Sequence, residues 1–175
     1  EIGTELYYQM LEEELEYQKN KILDKKTFSK SEFQPNIKIP EEIFIPENYI
    51  DDMDLRLSIY KRISNLKNHK EINNLLIELT DRFGELPVEV NNLFKLIELR
   101  ILCVEANIDK LEFNRKGIVI GFYKNIPKNP KKLLDSSLRE KNNLQLRPDQ
   151  KLFYDFNGFL EKNRFKLAKE IIKSL

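Results

Sequence analysis

Hydrophobic positions along this chain recur first at helical and later at strand spacing. Ile72, Leu75, Leu76, Leu79 and Phe83 follow the i, i+3, i+4, i+7, i+11 stripe of a helix that packs on a core. Gly84 stands where a left-handed residue would end that helix, and Pro87 stands at a favoured first-turn position of the next. Asn68 followed by Glu71 is close to a capping box at the start. From Pro87 to about Asn107 one stripe runs Val90, Leu93, Phe94, Ile97, Ile101, Val104, and a second face carries Leu99, Leu102, Cys103 and Ala106. A helix apolar on two sides is covered on two sides, so it is expected to be the hub of the core, with Leu93, Ile97 and Ile101 almost inaccessible. Upstream, Asp51 or Asp52 caps a helix from Met53 to about Ser64. Its apolar arc of Met53, Leu55, Leu57, Ile59, Tyr60 and Ile63 has Arg56 in the middle. An arginine so placed must snorkel to water or meet a carboxylate, and Asp81 or another acid of the helix ending at Gly84 is the expected partner.

Beyond Asn107 the period becomes two. Leu111 and Phe113 alternate, Arg115-Lys116-Gly117 supplies a turn, and Ile118, Ile120 and Phe122 alternate again, as in a hairpin. Asn129-Pro130 opens a short helix through Leu133, Leu134 and Leu138. Leu144 and Leu146, the turn Arg147-Pro148-Asp149-Gln150, then Leu152, Tyr154 and Phe156 form a second hairpin. Asn157 is the expected cap of a last helix with the stripe Leu160, Leu167, Ala168, Ile171, Ile172, Leu175 and a basic outer face of Lys162, Lys166, Lys169 and Lys173. At the other end, Thr4 to about Asp24 reads as an acidic helix with a thin stripe of Leu6, Met10, Leu11, Leu15 and Ile22 that has lost its partner if the chain is a fragment. The prolines at 35, 40 and 46 and the alternation of Ile37 and Ile39 read as an extended linker with a short edge strand. The pattern predicts an α+β fold, helices including a helix-Gly-turn-helix core packed on a small antiparallel sheet of two hairpins. It divides as a helix over 1–24, a linker over 25–46 and a domain over 47–175.

Composition narrows the class. With 41% hydrophobic and 34% charged residues in 175, the chain has a soluble globular balance and no apolar run of bilayer length, so it is read as cytoplasmic, without a membrane partner. It begins at Glu1 inside a predicted helix, without an initiator Met, so it is read as a piece of a longer protein. Thirty Lys and Arg against 29 Asp and Glu give a formal charge of +1, which argues against DNA contact through bulk electrostatics. Lysines on the last helix and Lys128, Lys131 and Lys132 are what a DNA-contacting role would use, but no aromatic residues interleave with them.

Little catalytic chemistry is legible. The glycines at 3, 84, 117, 121 and 158 write neither a phosphate-cradling loop nor a dinucleotide fingerprint. His69, near a helix start, is the only histidine, and Cys103, suited to core packing, is the only cysteine. An internal disulfide, a zinc cluster and a Cys-His or Ser-His catalytic pair with alternatives are therefore excluded. No cofactor, metal or catalytic residue is assigned, and the chain reads as an interaction module. The residues that stand out are Glu78, Asp81 and Arg82, which share a helix face with Asn74 beside the Gly84 corner. Glu78 and Arg82 are spaced to pair on that surface for a few tenths of a kcal/mol.

Leu79-Thr80-Asp81-Arg82-Phe83-Gly84-Glu85-Leu86-Pro87, preceded by Asn48-Tyr49-Ile50-Asp51-Asp52 and by Leu55 to Ile63, resembles the C-terminal domain of the bacterial transcription-repair coupling factors, the Mfd family. The segment Lys116 to Phe122 continues the similarity, and Gly3 to Leu11 looks like the helix closing that family's motor module. The resemblance implies a non-catalytic, autoinhibitory part of an ATP-dependent DNA translocase. It implies that Glu78, Asp81 and Arg82 grip the protein's own UvrB-like N-terminal module, covering the surface that recruits UvrA until the motor engages stalled RNA polymerase. The rival role is that of a DNA-contacting accessory domain.

Overall fold

The computed structural model describes residues 2–23, 33–134, 143–156 and 163–175. Its contacts divide the chain into two units, one of residues 1–30 and 41–98, the other of residues 31–40 and 99–175.

The first unit is helical. It contains α1 (Ile2–Leu23), α2 (Met53–Ser64), α3 (His69–Phe83) and the part of α4 (Val88–Glu105) up to Glu98. Of the two candidate caps of α2, Asp52 is the one used, its carboxylate accepting the Leu55 N–H at 2.8 Å. At α3 the Asn68 side chain accepts the Glu71 N–H at 2.9 Å, while the Glu71 carboxylate reaches back to the Lys67 N–H at 2.8 Å. This is a capping box shifted by one residue, which satisfies one orphan donor of the helix start and the N–H just before the cap. Gly84 ends α3 at φ 86° and ψ −160°, a region essentially reserved for glycine rather than the left-handed helical one. Pro87 accepts the Asn91 N–H at 3.0 Å and so opens α4.

Ile72, Leu75 and Leu79 of α3 and Val90, Leu93, Phe94 and Ile97 of α4 are buried, as their stripes predict. Residues 41–46, the end of the stretch read as a linker, belong to this unit. Ile43 and Ile45 are buried, the Ile45 N–H donates to the Tyr60 hydroxyl at 2.7 Å, and Asn92 donates to the Glu42 carbonyl at 3.1 Å. The thin stripe of α1 has a partner within the chain after all. α1 packs along α2, with Gln18 and Ile22 buried and Leu11 and Leu15 half-buried.

The second unit is built on a five-stranded sheet in the order β1-β2-β3-β5-β4, with β1 (Asn36–Lys38), β2 (Ile108–Phe113), β3 (Gly117–Phe122), β4 (Leu144–Leu146) and β5 (Leu152–Asp155). Both expected hairpins are antiparallel, and β3–β5 pairing joins them. β1 adds a parallel edge strand on β2, which makes the sheet mixed. In the register Leu111 faces Ile120, Phe113 faces Ile118 and Ile120 faces Leu152, all buried, so one period-two stripe crosses three strands. The rest of α4 contributes Leu99, Leu102 and Cys103, all buried. Ile101, expected to be inaccessible, is only half-buried, while Arg100 is buried beside it.

The short helix α5 spans Pro130–Leu134. The last helix, α6 (Arg164–Ser174), buries Phe165, Leu167, Ala168, Ile171 and Ile172. Asn163 caps it, accepting the Lys166 N–H at 3.0 Å. The expected cap Asn157, with Leu138, Leu160 and Lys162, lies outside the described residues.

Candidate functional site

α3 buries Ile72, Leu75 and Leu79, which turns Asn74, Ile77, Glu78, Asp81 and Arg82 outward. Glu78 is not an isolated carboxylate. Arg62 of α2 grips it with both terminal nitrogens, Nη1 to Oε1 at 2.7 Å and Nη2 to Oε2, and Arg82 adds Nη1 to Oε1 at 3.2 Å. The two-pronged hydrogen bonds from Arg62, helped by Arg82, hold the Glu78 carboxyl well down, to about 2. They raise the Arg62 guanidinium in turn. Arg82 also lies 5.0 Å over the Phe83 ring, which meets Tyr49 edge-on at 6.0 Å. Two guanidinium groups and one carboxylate thus form a fixed surface network across α2 and α3.

Asp81 behaves differently. It is exposed, and its carboxylate makes no hydrogen bond or ion pair among the described residues. The expected Arg56–Asp81 pair does not form. Arg56 is buried, donating from Nη1 to the carbonyls of Ile50 at 2.7 Å and Asp51 at 3.2 Å, with Nη2 3.5 Å from the Glu47 carboxylate. The helical wheel gave the correct face of α2 but not its neighbour. The chain entering α2 lies over Arg56 and offers carbonyls as acceptors. The Asp81 carboxylate is therefore left with no partner among the described residues. One turn before it, Ile77 is 60% exposed, so an apolar contact point stands beside an unpaired carboxylate. Ile77 and Arg62 are the members of this patch that sequence reasoning missed. Arg62 lies on another helix at no fixed sequence spacing from Glu78, whereas Ile77 could have been flagged as an apolar residue off the buried stripe.

Elsewhere in the first unit a cavity of about 420 Å³ is lined by residues including Glu12, Glu16, Lys19, Phe44, Arg56 and Tyr60. Its buried arginine is already paired, and its tyrosine is pushed up chiefly by burial. Burial likewise pushes the Cys103 thiol up to about 12, which keeps it protonated and unreactive. Among the described residues no three His, Cys, Asp or Glu side chains come together to hold a metal ion, and no helix is long and apolar enough to cross a membrane.

Charge is divided between the units. The first carries 12 Lys and Arg against 19 Asp and Glu, a net −7, and the second 18 against 10, a net +8. The α3 patch thus belongs to the acidic unit.

A family model described as the TRCF domain matches residues 39–133, over half of the chain. The chain belongs to the transcription-repair coupling factor family. The matched stretch of that family contains Arg62, Glu78, Asp81 and Arg82. The transcription-repair-coupling factor of Rickettsia conorii is 38% identical over 175 residues, covering 100% of this chain and 15% of the relative. That of Escherichia coli is 29% identical over 177 residues, covering 99% of this chain and 15% of the relative. The chain thus spans about 15% of the length of such relatives. A crystal structure of the C-terminal domain of a transcription-repair coupling factor matches with a TM-score of 0.63 at 23% identity, over 81% of this chain and 91% of that one. At that identity the likeness carries the fold alone, the α+β arrangement described above.

Proposed function

We propose that this chain is the regulatory C-terminal part of a cytoplasmic coupling factor, docking through α3 on the UvrB-like N-terminal module of the same protein. Docked, it covers the surface that recruits UvrA; undocked, when the motor engages stalled RNA polymerase, it uncovers that surface. The chain itself carries no catalytic step in this reading, ATP-driven translocation belonging to the rest of the longer protein. UvrA and RNA polymerase are partners only through the whole protein.

The observation that carries the reading is the α3 patch. Asp81 is an exposed carboxylate with no partner among the described residues, and Ile77 lies exposed one turn away. Beside them the Arg62–Glu78–Arg82 network is fixed before any partner arrives. A carboxylate on an acidic unit suits an arginine or lysine of the partner, because opposite potentials speed encounter and desolvated charge-assisted hydrogen bonds are stronger than exposed ones. Glu78 acts within the patch by holding Arg62 and Arg82 in place, and Asp81 makes the direct contact. In the full-length protein Asp81→Ala is expected to raise UvrA binding in the absence of polymerase while leaving thermal unfolding unchanged. UvrA binding that stays at the wild-type level, in both Asp81→Ala and Asp81→Arg, would remove α3 from the docking surface.

A further inference from the structure

The near-zero charge of the whole chain conceals a strongly basic second unit, and within it residues 113–134 hold six Lys and Arg and no Asp or Glu. Four of the six, Lys124, Lys128, Lys131 and Lys132, fall in the twelve residues between β3 and the end of α5, and all four are exposed. Lys128, Lys131 and Lys132 make no ion pair among the described residues. The segment is also anchored at both ends. At its start Lys124 and Asn125 take positive φ values of 53° and 57°, in a turn closed by the Ile126 N–H on the Tyr123 carbonyl at 3.0 Å. The Asn107 side-chain amide donates to the Ile126 carbonyl and so braces that turn. At its far end Leu133 is buried. Ordering such a segment on a partner costs less entropy than ordering a free lysine tail.

We propose that this segment binds the phosphate backbone of double-stranded DNA without reading its sequence. Lysines act on phosphates as point charges and carry no base information. The neighbouring aromatic ring offers no platform for an unpaired base. Tyr123 is stacked on Phe33 at a centroid distance of 4.5 Å, and the Lys124 ammonium stands 5.0 Å from the Tyr123 ring centre. That occupancy favours duplex backbone over single strands, which bind largely by stacking. Among the described residues the acidic groups near this end of the sheet include exposed Glu105, at the end of α4. Asp109 on β2 lies beside Gly121, and Glu112 is taken by Lys110 at 2.9 Å.

The test is fluorescence anisotropy of a labelled DNA duplex titrated with the chain at several salt concentrations. Binding should weaken steeply with salt, and Lys128→Gln/Lys131→Gln/Lys132→Gln should weaken it by more than roughly tenfold at low salt and lower the log–log salt slope by about three. The exposed pair Lys67→Gln/Lys70→Gln of the first unit should leave binding unchanged. Lys128→Gln alone, outside α5, should lower the slope by about one and serves if the triple variant melts early. The proposal is overturned if the wild-type chain shows no salt-dependent binding or if the lysine variants bind as the wild type does. It is also overturned if polyglutamate of equal charge competes as well as unlabelled duplex, which would assign the surface to an acidic protein.

Discussion

Glu78 and Asp81 sit three residues apart on one helix face and have opposite situations. The Glu78 carboxyl is depressed from its ordinary 4.5 to about 2 by Arg62 first and Arg82 second. A depressed acid adds stability that is complete above its unfolded value and is lost as pH falls through its folded one. The network should therefore weaken between about pH 4.5 and 2, and Glu78→Gln should flatten the dependence of the melting temperature on pH in that window. All three side chains are more than a third exposed, so solvent screening keeps the pairing small. A double-mutant cycle of Arg62→Ala and Glu78→Ala is expected to return about 0.2–1 kcal/mol. Gly84 is the other decisive residue. A Cβ there would meet nothing within 4 Å, so the cost of Gly84→Ala is purely one of backbone conformation, about 1–3 kcal/mol in urea unfolding. A loss of less than about 0.3 kcal/mol would mean that the corner relaxes to a φ open to alanine.

At the scale of elements, α4 and the central strands carry the core. Ile97 is fully buried, and Ile97→Ala should cost about 2–5 kcal/mol through lost transfer energy and the cavity left behind. Gly117 is tighter still, because a Cβ on it would fall 1.9 Å from the Tyr154 carbonyl oxygen. Gly117→Ala must push β3 and β5 apart, with amide exchange in the Gly117–Ile120 and Leu152–Asp155 ladder rising while that of α3 stays unchanged. α2 and α3 were legible because each has one face on a core, which writes its period into the sequence, α4 because its length and two apolar faces mark a covered helix, and the hairpins because their apolar residues alternate at period two. Three features were not. β1 was legible as a short edge strand, but its parallel pairing with a strand far along the chain was not, since nothing local encodes it. Ile101 continues the stripe of Ile97, but between them α4 passes from one unit to the other at Leu99, and the buried face shifts to Leu99, Arg100, Leu102 and Cys103. Arg56 was placed on the correct face, yet its acceptors are carbonyls of residues 50 and 51, which every residue carries and no composition reveals.

For the whole molecule the informative quantity is the distribution of charge rather than its sum. A net +1 resolves into −7 and +8 because the second unit takes residues 31–40 from before the helices as well as 99–175 after them. Three residues of the candidate patch were legible as sharing one face, but Ile77, Arg62 and the division of roles were not. Glu78, Asp81 and Arg82 do share one face, but Glu78 is held within the domain and Asp81 has no partner among the described residues, because Arg62 takes Glu78 and Glu47 takes Arg56. The central claim is that this α3 face docks on the UvrB-like module of the same protein, and calorimetric titration of that module with the chain, at low and high salt, tests it most directly. The account predicts saturable one-to-one binding that weakens with salt, and a loss of roughly tenfold or more in both Asp81→Asn and Ile77→Asp with their melting curves unchanged. Absence of binding at low salt, or wild-type affinity in both variants, would contradict it.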